Sequence, residues 1–155
     1  MKMKIIRYGI VLVLGIALGY FAPKLIYSFR YRQIIRNAEQ QLSQNPGKAM
    51  NWMALGNAKY FNGDRRGALD AYKRALAIDP NYINAYQGIG SYYLDKKDLD
   101  QAEEWFKKGL KVAEEHQPEA VFQARQMVDL VKEYRTNQVL QGMYGKGKTQ
   151  QPASH

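Results

Sequence analysis

Residues 49–82 read AMNWMALGNAKYFNGDRRGALDAYKRALAIDPNY, and residues 83–116 read INAYQGIGSYYLDKKDLDQAEEWFKKGLKVAEEH. Laid over each other at a period of 34, the two stretches agree at spaced positions. Gly56 returns as Gly90, Asp64 as Asp98, Ala68 as Ala102, Lys73 as Lys107 and Leu76 as Leu110. Trp52 returns as Tyr86, Leu55 as Ile89 and Tyr72 as Phe106. A period of this length marks stacked supersecondary units, which more often hold partners than perform chemistry.

Each unit reads as two short helices. Trp52, Leu55 and Tyr60, with the small residues Gly56 and Ala58, form one apolar face. Asn62-Gly63-Asp64 breaks that helix, and Asp64 is placed to cap the next. Ala68, Leu69, Tyr72, Ala75 and Leu76 continue at helical spacing until Asp79-Pro80 stops them. In the second unit Asp98 takes the capping position, and Gln101 stands where a capping-box partner would be. Gly56 and Gly90 let two helix axes approach closely, Ala68 and Ala102 stand opposite, and aromatic rings fill the space around the contact.

The pattern Trp52-x-x-Leu55-Gly56 … Ala68 … Tyr72 … Ala75 … Pro80 resembles the tetratricopeptide repeat, and the second unit is similar through Tyr86, Ile89, Gly90, Tyr93, Ala102 and Phe106. It departs where Gly109 replaces the usual alanine and Glu114 the terminal proline, so the second helix of that unit is expected to run on toward His116. The resemblance implies an all-α helical-hairpin solenoid. Two units alone seldom bury a continuous core, so flanking helices are expected to complete it. Residues 117–141 read as a capping helix, with Pro118 in its first turn and Val121, Ala124, Val128 and Val131 on one stripe. Residues 30–48 read as a basic helix and linker ending at Asn45-Pro46-Gly47, half of a degenerate preceding repeat. Residues 142–155 read as a flexible tail.

The net charge of +9 is unevenly placed. Residues 1–48 carry eight basic side chains against Glu39 alone, a net of +7, whereas residues 49–155 carry fifteen against thirteen acidic ones. The basic charge therefore belongs to the segment before the repeats, and a nucleic-acid partner is not expected. The chain has no cysteine, which removes disulfides, thiolate metal sites and thiol nucleophiles.

Residues 1–29 read as an N-terminal membrane anchor. Tyr8–Ala22 is almost purely apolar, and Leu25–Phe29 extends the run past Pro23-Lys24. As a helix, Tyr8 to Phe29 would span about 33 Å, close to a bilayer's hydrocarbon thickness. Lys2 and Lys4 ahead of Ile10–Leu18 also fit a cleaved leader, but the residues after Gly19 stay hydrophobic, which suits a retained anchor. The basic residues on the two sides nearly balance. The short basic tail tilts the expectation toward the amino terminus inside and the repeats outside, periplasmic on a bacterial inner membrane. The opposite orientation would set Arg30, Arg32 and Arg36 against anionic lipid at the membrane surface. Gly15 and Gly19 form a small-xxx-small motif able to pack two membrane helices, an opening for self-association.

Gly142 to Thr149 matches the phosphate-loop pattern of two glycines five apart followed by lysine and threonine. That loop works between a strand and a helix whose N-terminus cradles phosphate, and here a helix precedes it and only six residues follow. No cofactor, metal or catalytic constellation is expected. His116 and His155, the only histidines, lie at a helix end and at the last residue.

In the resembled family the first helix of each repeat lines a concave groove for extended peptides or helices. Carried over by repeat position, the resemblance implies a partner groove of Met50, Met53, Asn57, Tyr60 and Phe61 from the first unit and Asn84, Gln87, Ser91, Leu94 and Asp95 from the second. Chaperone-binding members clamp a terminal carboxylate with lysine and asparagine in this groove. Asn57 matches one clamp position, but Met53 stands for the lysine and Gly88 for the second asparagine, so chaperone tails are not the expected ligand. The expectation is a membrane-anchored adaptor or scaffold for a protein complex. The alternatives are a small intrinsic subunit packed through its membrane helix and a nucleotide hydrolase using 142–149.

Overall fold

The computed structural model describes residues 29–144. Among them all regular structure is helical. Helix α1 covers 29–44, α2 Ala49–Phe61, α3 Arg65–Ile78, α4 Ile83–Asp95, α5 Leu99–His116 and α6 Val121–Tyr144, with a short 3₁₀ turn at Pro118–Ala120 before α6. The pairs α2/α3 and α4/α5 are the two hairpins of the 34-residue period. This is an all-α repeat solenoid, flanked by α1 and α6.

The turns repeat in atomic detail. Asp64 Oδ1 accepts from the Gly67 N–H at 2.9 Å, and Asp98 Oδ1 from the Gln101 N–H at 3.1 Å. Each bond satisfies one of the N–H groups that a helix start leaves open. The reciprocal half of a capping box is absent: the Gln101 side chain turns toward Glu104, and the Asp98 N–H donates to the Tyr93 carbonyl. Gly63 sits at φ 91°, and its equivalent Lys97 adopts φ 61°, so the second turn places a side chain where the first uses glycine.

The core is a row of aromatic wedges against small residues. A Cβ on Gly56 would lie 2.4 Å from the Tyr72 ring, and one on Gly90 would lie 2.4 Å from the Phe106 ring. Neither glycine can carry a side chain unless the ring moves. Ala68, Ala75, Ala85, Ile89 and Ala102 are fully buried around these contacts. Trp52 Nε1 donates to the Pro46 carbonyl and Tyr86 Oη to the Pro80 carbonyl, at 3.0 and 2.9 Å. Residues 46 and 80 are also 34 apart, so the repeat's bonding pattern begins in the loop before α2.

The flanking helices close the two ends. Ile35, Ala38 and Leu42 of α1 pack with Leu55, Trp52 and Ala71. The buried Asn51 donates to the Asn45 carbonyl at 3.0 Å, tying the end of α1 to α2. On the other side Val128 and Val131 of α6 share a core with Ala102 and Phe106, and Ala124 does so with Ile83 and Ala113. Arg135 bridges α6 to Asp100 and Glu103 at 2.9 and 3.0 Å. Lys107, hydrogen-bonded to Glu103, holds that carboxyl below the usual range. Helix α6 runs past the sequence boundary at 141, so the first three residues of the phosphate-loop-like stretch are helical rather than loop. The rest of that stretch lies outside the described residues. So does the expected membrane helix before Phe29, with Gly15 and Gly19. No helix among the described residues is long and apolar enough to cross a membrane.

Candidate binding groove

Helices α2 and α4 lie side by side on one face of the solenoid and enclose a concavity of about 430 Å³. Eight of the ten residues expected in a partner groove line it: Met50, Met53, Asn57, Tyr60 and Phe61 from α2, and Asn84, Gln87 and Ser91 from α4. Ala54, Tyr72, Tyr82 and Gly88 complete the wall. Side chains one helical turn apart on α2 fall on the same face, which is why positions 50, 53, 54, 57, 60 and 61 converge.

Leu94 and Asp95 do not join them. They line a second cleft of about 510 Å³, between the α4–α5 turn and α6, with Leu99, Leu130 and Tyr134. Asp95 makes an interaction across the repeat. Asp95 Oδ2 accepts the Tyr60 hydroxyl at 2.6 Å and pairs with Arg65 at 3.3 Å. Arg65 in turn lies over the Tyr60 ring, 3.6 Å from its centroid, and donates to the Tyr60 carbonyl. Asp95 is therefore committed to joining the hairpins.

The floor of the groove is Tyr72. Its ring is 2% exposed and lies between two glycines, since a Cβ on Gly88 would come within 2.8 Å of it from the side opposite Gly56. Tyr72 Oη donates to Asn57 Oδ1 at 3.0 Å. Burial pushes the Tyr72 phenol up to about 12. Burial and the hydrogen bond to Asp95 raise that of Tyr60 as well. Both rings are neutral at physiological pH. An asparagine at position 88 would displace the Tyr72 ring, so the carboxylate clamp is blocked by packing as well as by the methionine at 53.

No residue lining the groove carries a formal charge at neutral pH. The polar groups are amides and hydroxyls. Gln87 Nε2 is buried with no hydrogen-bond partner among the described residues. At the rim, Met50 and Phe61 are more than 60% exposed, and the Phe61 ring stacks on Tyr31 of α1 at 6.0 Å. That contact brings α1 to the mouth of the groove. Arg30, Arg32 and Arg36 are exposed along α1. Residues 49–144 hold thirteen basic and thirteen acidic side chains, leaving the repeat domain without net charge. Among the described residues no cluster of histidine and carboxylate side chains could hold a metal ion.

Residues 62–127 match the family model for the tetratricopeptide repeat. No curated protein matches the chain in sequence. Among solved structures the chain is similar to MamA, at 24% identity and a TM-score of 0.56 over 66% of this chain, and it spans 57% of that chain. It is similar to the TPR2B domain of yeast Sti1, solved as a complex with pHsp70, at 14% identity and a TM-score of 0.63, covering 75% of this chain and 90% of that one. It is also similar to PcrH in complex with the chaperone binding region of PopD, at 19% identity and a TM-score of 0.62, covering 81% and 93%. At these identities the likeness is one of fold.

Proposed function

Taking an all-α solenoid of the tetratricopeptide-repeat type as the premise, we propose that this chain is a membrane-anchored adaptor that binds a protein partner in the groove between α2 and α4 and helps assemble or tether a complex. The observation that carries the reading is the groove itself: a preformed concavity with exposed methionine and aromatic side chains at its rim and amides inside. Flexible methionine and amphipathic tyrosine give apolar contact area, and amides bond a peptide backbone. Two solved structures of the same fold hold partner segments, the pHsp70 complex of Sti1 and the PopD complex of PcrH, which favours binding over chemistry.

Anchoring rests on residues 8–29 of the sequence, and we place the repeats on the outer face, periplasmic in a bacterium. The opposite orientation would instead set the exposed arginines of α1 against the anionic cytoplasmic leaflet. The test is affinity purification of the full chain from detergent-solubilised membranes beside Ala54→Trp, which fills the groove from an exposed helix position. The adaptor reading expects a partner at fixed stoichiometry with the natural chain and its loss with the variant. A partner retained equally by both would move the interface elsewhere, to the membrane helix with Gly15 and Gly19.

A further inference from the structure

The groove lacks formal charge, although the repeat domain around it carries twenty-six charged side chains. Asp95 and Arg65 touch its wall at Tyr60, and they pair with each other at 3.3 Å. An ionised ligand group covered in the groove would lose water and find no counter-charge among the lining residues, and such burial is unfavourable. A free terminal carboxylate, an acidic peptide and a phosphorylated peptide all meet that penalty. A lysine-rich segment meets it with the opposite sign.

The groove does offer backbone chemistry. Gln87 Nε2 is buried and unpartnered. If its amide were turned over, a buried carbonyl would take that place, and a peptide N–H would answer it instead of a C=O. An extended backbone carries both. The Asn57 and Asn84 amides, at exposed positions, and the half-buried Ser91 hydroxyl also line the groove. Around these groups the wall is methionine and aromatic ring. A neutral backbone with apolar side chains satisfies every part of this lining.

Resting on the groove reading above, we propose that the occupant is an internal, uncharged, extended segment of a partner protein, held through its backbone by Gln87, Asn57 and Asn84 and through apolar side chains by Met53 and Tyr60. Neither chain end nor any ionised side chain of the partner enters.

The test is selection from a random decapeptide library, displayed once between carrier domains and once with free carboxyl ends. The target is the full chain in detergent, with counter-selection on Ala54→Trp and, in parallel, on Asn84→Trp, each checked for an unchanged melting profile. The expected outcome is a set of sequences that bind the natural chain but neither variant, arise equally from both display formats, and lack Asp, Glu, Lys and Arg at contacted positions. Their binding should change less than about twofold between low and high salt. A single contacted residue replaced by Asp should weaken it about tenfold or more. Groove-dependent sequences that are acidic, basic or require a free carboxylate would overturn the uncharged segment and leave the adaptor standing. If every selected peptide bound the groove-filled variants as well as the natural chain, or none were selected, both readings would fail. If the natural chain dimerised by sedimentation and the two variants did not, the occupant would be a second copy, which also overturns the proposal.

Discussion

In the first hairpin the wedge aromatic is Tyr72, held between Gly56 of α2 and Gly88 of α4; in the second it is Phe106, which meets Gly90 of α4 and shares its core with Val128 and Val131 of α6. The two rings occupy equivalent positions of the repeat and fill equivalent gaps. They differ at one atom. The Tyr72 hydroxyl reaches out to Asn57 in the groove, and Phe106 has nothing to satisfy. A ring whose far edge meets the binding surface needs a polar end and an amide to receive it. A ring sealed behind a capping helix needs neither. The α2/α4 side is thereby left as a groove, whereas α6 packs its valines over Phe106 and pairs Arg135 with α5, leaving the cleft of Leu94 and Asp95 beyond them.

The comparison breaks first at the rings. Phe106→Ala and Tyr72→Ala should each cost about 3–5 kcal/mol in urea unfolding, a large share of a small domain's stability. Equal losses would show that the two junctions bear equally on the fold despite their different outer neighbours. The next test uses positions 88 and 122, which are 34 apart. Gly88→Ala drives a Cβ into the Tyr72 ring and should cost about 1–3 kcal/mol. Phe122, 74% exposed, should tolerate alanine within about 0.5 kcal/mol.

Tyr72→Phe makes the first wedge resemble the second. It should cost about 1 kcal/mol at neutral pH by removing the bond to Asn57. It should also change the alkaline limb. The folded Tyr72 and Tyr60 phenols hold their protons above the ordinary value of 10, so from about pH 10 upward the folded state binds more protons and stability falls with rising pH. The slope of melting temperature against pH in that window should be shallower in Tyr72→Phe, with the remainder due to Tyr60. The turns give a smaller effect of opposite sign. Lys97→Gly should stabilise by up to about 1 kcal/mol and Gly63→Ala destabilise by about as much, because both positions hold a left-handed backbone. Asp95→Ala should cost under about 1 kcal/mol, since the ion pair it makes with Arg65 is substantially exposed.

The hairpins were legible because their determinants repeat. Glycines face rings, aspartates cap helices and the Pro46/Pro80 carbonyls receive Trp52 and Tyr86, each at the same interval of 34. A register fixed by periodicity also places most groove residues, since residues a turn apart share a face. The split at Leu94 and Asp95 was not legible. Asp95 finds Tyr60 and Arg65 some thirty residues earlier in the chain, a pairing the repeat does not encode because their equivalents are Leu94 and Leu99. The lone Gln87 donor likewise follows from packing around one amide. The C-terminal extent of α6 has no stop signal before Gly142.

Site-specific photo-crosslinking in intact membranes tests the groove most directly, with a photoreactive side chain placed at Met53 in the groove or at Lys111, an exposed position on α5. Groove binding predicts a discrete protein adduct from position 53 that disappears when Ala54→Trp is added, and none of that mass from position 111. The same adduct from position 111, or its persistence at 53 with the groove filled, would contradict it.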